Sequence, residues 1–578
     1  MKELLVYIKE YTKECILGPF FKLLEACFDL AVPIVMASVI DKGIASGDKW
    51  YIFKYGGILI LLAVIGLTCS VTAQFFAARA ATGFAANLRY ALFKHIESLS
   101  FTEIDSIGTA TMITRMTSDI NQLQSGVNMA LRLFLRSPFI VFGAALMAFT
   151  IDVKAAVVFV VVIPLLAVVV FGIMLISMPL FKKVQARLDD VLGITRQNLT
   201  GVRVIRAFNK EQAELANFAD SNEKLTAMQL FVGKISALAN PVTYVMVNIA
   251  LIVLLWTGGI QINAGNLTQG ELVALVNYMS QILVELVKLA NTIVLATKAV
   301  ACGTRVQGIL SVNSSMQDGD YGIEDSARKP GLQKKSGGAE VKFEHAGMKY
   351  KGAGANSVSD IDFIAKPGSI TGITGGTGSG KSTLVNLIPR FYDVSEGCIK
   401  LNGRDVRTYK LDALRQSVGI VLQKSILFHG TIRENMLWGN KDASDEEITE
   451  ALKAAQAWEI VTGKEKGLDY VIEQGGRNLS GGQKQRFAIA RALVRKPPVL
   501  IFDDSSSALD FATESKLRKA LQELSYNPTI FIVSQRTSSI QHADNILVLE
   551  DGELAGQGTH EELLKNCEVY REIYNSQV

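Results

Sequence analysis

Cysteine is sparse and scattered in this chain. Cys15, Cys27, Cys69, Cys302, Cys398 and Cys567 show neither paired spacing nor the clustering of metal ligands. That excludes a disulfide-stapled scaffold and a cysteine metal site. Charge is also scarce. Charged residues are 20% of the 578 and the net charge is only +4, so there is no basic footprint for nucleic acid. At 49% hydrophobic the chain is too apolar for disorder. It is also longer than one core supports, since single cores stop growing near roughly 250–300 residues. A mean hydropathy of +0.26 is high for a soluble enzyme and points to a membrane protein.

What is present is unevenly spread. Apolar runs near the roughly 20 residues that cross a bilayer fall at 16–40, 56–78, 137–152, 155–180, 236–260 and 271–297. The third and fourth are separated by Asp152, Val153 and Lys154, which read as a tight turn. The connection between the second and third runs carries Arg79, Arg89, Lys94, Arg115, Arg132 and Arg136. The connection between the fourth and fifth carries Lys182, Lys183, Arg187, Arg196, Arg203, Arg206, Lys210, Lys224 and Lys234. Positive charge stays on the cytoplasmic side, so these long connections and both termini are expected in the cytoplasm, with six spans. The connections are rich in helix formers and read as helices continuing beyond the membrane. The first residues mix Lys with Glu and place Leu4, Leu5, Ile8 and Tyr11 on one helical face. They suggest an interfacial helix rather than a cleaved signal peptide. Glu25 and Asp29 lie in the first span, and Glu285 and Lys288 in the sixth. Charges there are costly. Either they line a polar pathway favouring cations, or Glu285 and Lys288 pair with each other, or either pair sits near a membrane face.

Composition changes at 313–339, a Gly-, Ser- and charge-rich stretch that reads as a linker. An α/β pattern follows, with strands expected at Val341–His345, Ser369–Ile373 and Pro498–Phe502. The second strand runs into Gly375-Gly376-Thr377-Gly378-Ser379-Gly380-Lys381-Ser382, followed by a helical run from Thr383. This is a complete G-x-x-x-x-G-K-S phosphate loop in its required strand–loop–helix context. Its glycines let backbone N–H groups converge on phosphate oxygens, Lys381 neutralises them, and Ser382 can ligate Mg²⁺. Asp503, at the end of another apolar strand, is the expected Mg²⁺-organising acid. The expected architecture is an all-α, six-span transmembrane domain over 1–312, a linker over 313–339, and an α/β nucleotide-binding domain over 340–578.

Between those motifs stands Leu479-Ser480-Gly481-Gly482-Gln483. With this sequence in that position, the chain resembles the ABC transporter family, in the exporter order of membrane domain first. The resemblance covers nearly the whole chain. It implies that the signature serves the phosphate loop of a partner domain across a head-to-tail dimer, with ATP and Mg²⁺ as cofactors. It places Tyr350 on the adenine and Thr383 on the nucleotide. It makes Gln423 a Mg²⁺ ligand and sensor that also contacts the membrane domain. The family's loop that touches the opposite stalk is matched by Glu473–Gly476. Its inter-site coupling loop is matched by Ser507–Asp510, with Asp510 the key residue. Gly108–Asp119 and Gly201–Glu211 resemble its two intracellular coupling regions.

Two positions depart from the family pattern. The Glu that polarises the attacking water is replaced by Asp504, whose carboxylate is withdrawn by about 1 Å; a shift of that size costs on the order of 10²-fold in rate. The switch His is replaced by Gln535, which cannot carry a positive charge. The resemblance then implies the degenerate-site half of a heterodimeric exporter of the bacterial plasma membrane. Such a half binds ATP, hydrolyses it slowly and pairs with a different half-transporter supplying the competent Glu and His. Its substrate would be an amphipathic small molecule, a drug or a lipid. A slow homodimeric exporter and a non-pumping, ATP-sensing regulator remain open.

Overall fold

The computed structural model describes residues 3–322, 337–505 and 508–577. The chain divides into two compact units. One is Met1–Glu97 with Ala110–Val312, and the other is Ser98–Thr109 with Asn313–Val578.

The first unit is all helix. Among the described residues, six helical stretches are long and apolar enough to cross a membrane: Glu3–Ile44, Lys49–Ser98, Thr109–Ile151, Val153–Thr200, Glu211–Asn263 and Gln269–Leu310. A helix satisfies its own backbone polar groups, which hydrocarbon requires. Lys49–Ser98 has 50 residues, or about 75 Å at 1.5 Å per residue. That far exceeds a hydrocarbon core of about 30 Å, so this helix continues well beyond it. Ile60, Val64, Leu67, Val71 and Phe75 form an exposed apolar stripe on it, while Ala73, Ala77, Ala80, Ala81 and Ala85 are buried. These small side chains let neighbouring backbones approach, as membrane helix packing requires.

Asp152 makes the expected turn. It caps Val153–Thr200, accepting from the Ala155 N–H at 2.7 Å. Asp41 ties the first span to the sixth by accepting from Thr268 Oγ1 at 2.6 Å and the Gly270 N–H at 2.7 Å. The N-terminal stretch differs from expectation. Glu3–Tyr11 is a 3₁₀ helix, with Leu4 buried and Leu5 half exposed, so the four apolar residues do not form one face. Of the expected coupling regions, Gly201–Glu211 holds a short helix, Val202–Ala207, with Val204 and Phe208 exposed.

The second unit contains two larger sheets. In the six-stranded sheet the spatial order is Glu553–Gly558, Asn545–Glu550, Ile370–Gly375, Thr529–Val533, Val499–Asp503, Val418–Val421. All but the first are mutually parallel. Val499–Asp503 is buried along its whole length, as a central parallel strand must be. An antiparallel sheet orders Val358–Ala365, Val341–Met348, Glu396–Leu401 and Arg404–Asp405. Phe343 stacks on Phe363 at 4.5 Å, and Phe363 meets Phe531 of the parallel sheet edge-on at 6.3 Å.

Two segments join this unit from outside the stretch that follows residue 340. Phe101–Ile107 is a short helix whose Phe101 ring lies 4.7 Å from Phe391, and its Asp105 accepts from Tyr392 OH at 2.6 Å. The contact therefore precedes Gly108–Asp119, the stretch singled out by sequence. Part of the expected linker is also ordered here. Tyr321 bridges to Tyr409, the Asp318 carboxylate accepts from the Leu411 N–H at 2.6 Å, and the Arg404 guanidinium lies 3.8 Å over the Tyr321 ring. The remainder of that linker, 323–336, lies outside the described residues, as does Ser507.

Candidate nucleotide site

The strand Ile370–Gly375 ends at the first glycine of the phosphate loop, two residues beyond the sequence expectation. The helix Lys381–Leu387 starts at its last glycine. Gly380 has φ +91, and a Cβ there would lie 2.5 Å from the Ser357 carbonyl oxygen. Only glycine fits that turn. Lys381 Nζ donates to the Gly375 carbonyl at 2.9 Å and to the Gly376 carbonyl at 2.5 Å, which curls its ammonium over the loop. Burial pulls the Lys381 pKa down, and the nearby carboxylates of Asp504 and Asp503 oppose that.

Asp503 and Asp504 arrive from the end of the neighbouring strand but one. Asp503 is 4% exposed and accepts from Ser382 Oγ at 2.9 Å. Burial raises its pKa above the ordinary aspartate value, the Ser382 hydrogen bond lowers it, and the Asp504 charge adds to the rise. A buried carboxylate beside a serine hydroxyl is an oxygen-only pair of the kind Mg²⁺ uses. Asp504 adopts a left-handed backbone, φ +45, which aspartate tolerates better than most residues. Its N–H donates to the Val533 carbonyl at 3.0 Å, and its Oδ2 accepts from Gln423 Nε2 at 3.3 Å. Ser382 thus pairs with Asp503, and Gln423 with Asp504 beside them.

A cavity of about 560 Å³ gathers these groups. Tyr350, Lys381, Ser382, Thr383, Gln423, Asp503, Asp504 and Gln535 all line it. Tyr350 OH is 3.1 Å from Thr383 Oγ1, and its ring meets Tyr392 edge-on at 5.1 Å. Asn356, Ser357 and Asp551 also line the cavity and were not singled out by sequence. They lie in turns beside strands, and only strand register brings them there. Gln577 was missed as well. Its Nε2 donates to the Gln535 carbonyl at 2.7 Å, while its Oε1 accepts from the Thr537 N–H at 2.8 Å.

The signature residues do not line this cavity. Leu479 is buried, and Ser480 caps the helix Gly481–Val494 in a reciprocal box with Gln483. Gly481 and Gly482 form the first turn, leaving N–H groups at a helix start, a ready anion site. Asp510 caps Phe511–Gln522, and the Thr513 N–H holds its carboxyl below the ordinary range. Glu473–Gly476 forms a tight turn with both glycines at positive φ.

Comparison with known proteins gives concordant matches in both halves. The family model for the ABC transporter transmembrane region matches residues 15–286, and that for the ABC transporter matches 358–507. An uncharacterized ABC transporter ATP-binding protein of Mycobacterium tuberculosis is 35% identical over 99% of this chain and 97% of its own length. YgaD of Bacillus subtilis, named for multidrug export, is 31% identical over 100% of this chain and 99% of its own. In fold, the chain is similar to a bacterial Atm1-family ABC exporter with ATP bound. The TM-score is 0.79 and the identity 22%, covering 98% of each chain.

Proposed function

Because this chain belongs to the ABC transporter family, with six membrane-crossing helices and an ATP-binding half, we propose that it is one subunit of an ATP-driven exporter. It moves amphipathic small molecules, drugs or lipids, out of the cytoplasm by alternating access. It does so beside a second, different half-transporter. The excess of Lys and Arg in the long connections supports a cytoplasmic nucleotide-binding half, and bacterial relatives support a bacterial plasma membrane.

The observation that carries the finer reading is the pair Asp504 and Gln535 in the wall of the nucleotide cavity. Tyr350 stacks the base, and the loop Gly375–Ser382 with Thr383 cradles the phosphates. Ser382, Asp503 and Gln423 hold Mg²⁺, which when bound neutralises phosphate charge. Attack by water needs a carboxylate at the right reach and a group to orient the γ-phosphate. Asp504 is a methylene short, and Gln535 is neutral. This site therefore keeps its ATP for long periods. Leu479, Ser480, Gly481, Gly482 and Gln483 face the other subunit's nucleotide instead, and Asp510 links the two sites.

The test is ATPase turnover of the chain purified alone, compared with the double variant Asp504→Glu, Gln535→His. Slow wild-type turnover, rising on the order of 10²-fold in the variant, is expected. Vigorous turnover of the unaltered chain alone, or no gain in the variant, overturns the reading.

A further inference from the structure

The membrane unit contains a charge cluster that the ATP chemistry does not use. Arg136, counted by sequence among the flanking cytoplasmic charges, is instead buried at its centre. Its guanidinium lies 2.6 Å from Glu285 Oε1, 2.8 Å from Asp29 Oδ2 and 3.8 Å from Glu25 Oε1. Lys22 Nζ is 2.5 Å from Glu25, and Lys288 Nζ is 2.9 Å from Glu285. Ser137 Oγ adds a bond to Glu285 at 2.8 Å. Three cations thus face three acids, and the formal charges cancel.

The six groups are not equally available. The Arg136 and Glu285 side chains are 10% and 4% exposed, so they form a buried keystone. Asp29 and Lys288, at opposite ends of the network, are 42% and 44% exposed. Both line a cavity of about 690 Å³, within the range of small-molecule pockets. Gln281 also lines it, and its Oε1 is buried without a hydrogen-bond partner among the described residues. Met36, Leu59 and Val284 supply apolar wall. Depth follows from helix rise. Arg136 begins a 16-residue helix ending beside the Asp152 turn, and Glu285 lies as far into the helix starting at Gln269. Both sit about 24 Å from those outer turns, inside a hydrocarbon core of about 30 Å and toward its other face. That is where the headgroup of an amphiphile from that leaflet can enter while its tail stays in apolar surroundings.

We propose that this cavity binds the headgroup of a zwitterionic amphiphile. Asp29 receives its ammonium, and Lys288 receives its phosphate or carboxylate. The tail runs along Met36, Leu59 and Val284. A lone cation satisfies Asp29 but faces Lys288, and a lone anion does the reverse. Either also brings uncompensated charge into a neutral, low-dielectric site, which is expensive. A headgroup carrying both charges avoids both costs. The balance supplied by Arg136 removes the preference for cations that the acids alone suggest. This inference rests on the exporter reading and names its substrate class.

The test uses the full chain in detergent, without nucleotide, and equilibrium binding of radiolabelled lysophosphatidylethanolamine. Competitors are a lysophosphatidic acid and an alkylamine of matched tail length, and tail-free phosphoethanolamine. Expected is saturable binding, displaced at least about tenfold more weakly by each amphiphile that carries charge of one sign and by the tail-free headgroup. Asp29→Asn and Lys288→Gln should each weaken binding on the order of tenfold, whereas the lysophosphatidic acid should bind more tightly after the first change and more weakly after the second. Displacement by the lysophosphatidic acid and the alkylamine as strong as by unlabelled lysophosphatidylethanolamine overturns the proposal, as does wild-type affinity in both variants. Should a variant fail to fold, the headgroup preference of the unaltered chain decides alone. ATP-driven movement of the lipid in proteoliposomes with the partner is scored separately. Binding without movement refutes the exporter reading and leaves the site standing.

Discussion

One side chain near the end of the sequence holds the loop that carries Gln535. Gln577 both donates to the Gln535 carbonyl and accepts from the Thr537 N–H, so it closes that loop from two sides. It also accepts from Thr537 Oγ1 at 3.1 Å. Each such bond contributes about 1 kcal/mol. Replacing Gln577 by Ala is therefore expected to speed backbone hydrogen exchange at 535–538 by about tenfold or more, with little change elsewhere in the second unit. Mass-spectrometric exchange checks this, and unchanged protection at 535–538 counts against it. No sequence signal marks Gln577, because it lies 42 positions beyond Gln535 and its role exists only once the intervening chain has folded back. Asp504 and Gln535 were legible for the opposite reason: they interrupt a motif whose other members are intact. Arg136 was misread because a charge just before an apolar run has the same composition whether it faces water or a buried acid.

Among elements, legibility follows how much the backbone itself demands. The phosphate loop needs glycine where no Cβ fits, so its strand, turn and helix could be placed to within two residues. Gly380 and Gly481 show the contrast. The first has a left-handed backbone and a Cβ position already occupied by Ser357 and Val358, while the second has open space around it and a helical turn. Gly380→Ala is expected to cost at least about 1–2 kcal/mol locally and to weaken binding of a fluorescent ATP analogue more than tenfold. Gly481→Ala should bind the analogue as the unaltered chain does. Equal affinities for the two variants would refute this account of the loop. Hydrophobic spacing gave less at the first residues, where the helix Glu3–Tyr11 is of the 3₁₀ kind and separates Leu4 from Leu5. The same spacing could not show that 318–321 leave the expected linker to pair beside Thr408–Leu411.

At the scale of the molecule, the six spans were readable because hydrocarbon tolerates few alternatives to a long apolar helix. Membership of the second unit was not readable, since Ser98–Thr109 lies far upstream in sequence and joins it through Phe101 and Asp105. The chain consequently passes between the units at three places: after Glu97, after Thr109 and after Val312. A nick introduced within 323–336, through an inserted protease site, leaves the fragment ending there still attached by two segments, 98–109 and 313–322. The halves are expected to separate on a denaturing gel yet co-elute in mild detergent; free elution of the C-terminal piece would show those contacts to be too weak. The second unit is stitched together from two separate stretches of chain. One cut thread does not undo that stitching, so stretches of chain on either side of a break can still pull on each other.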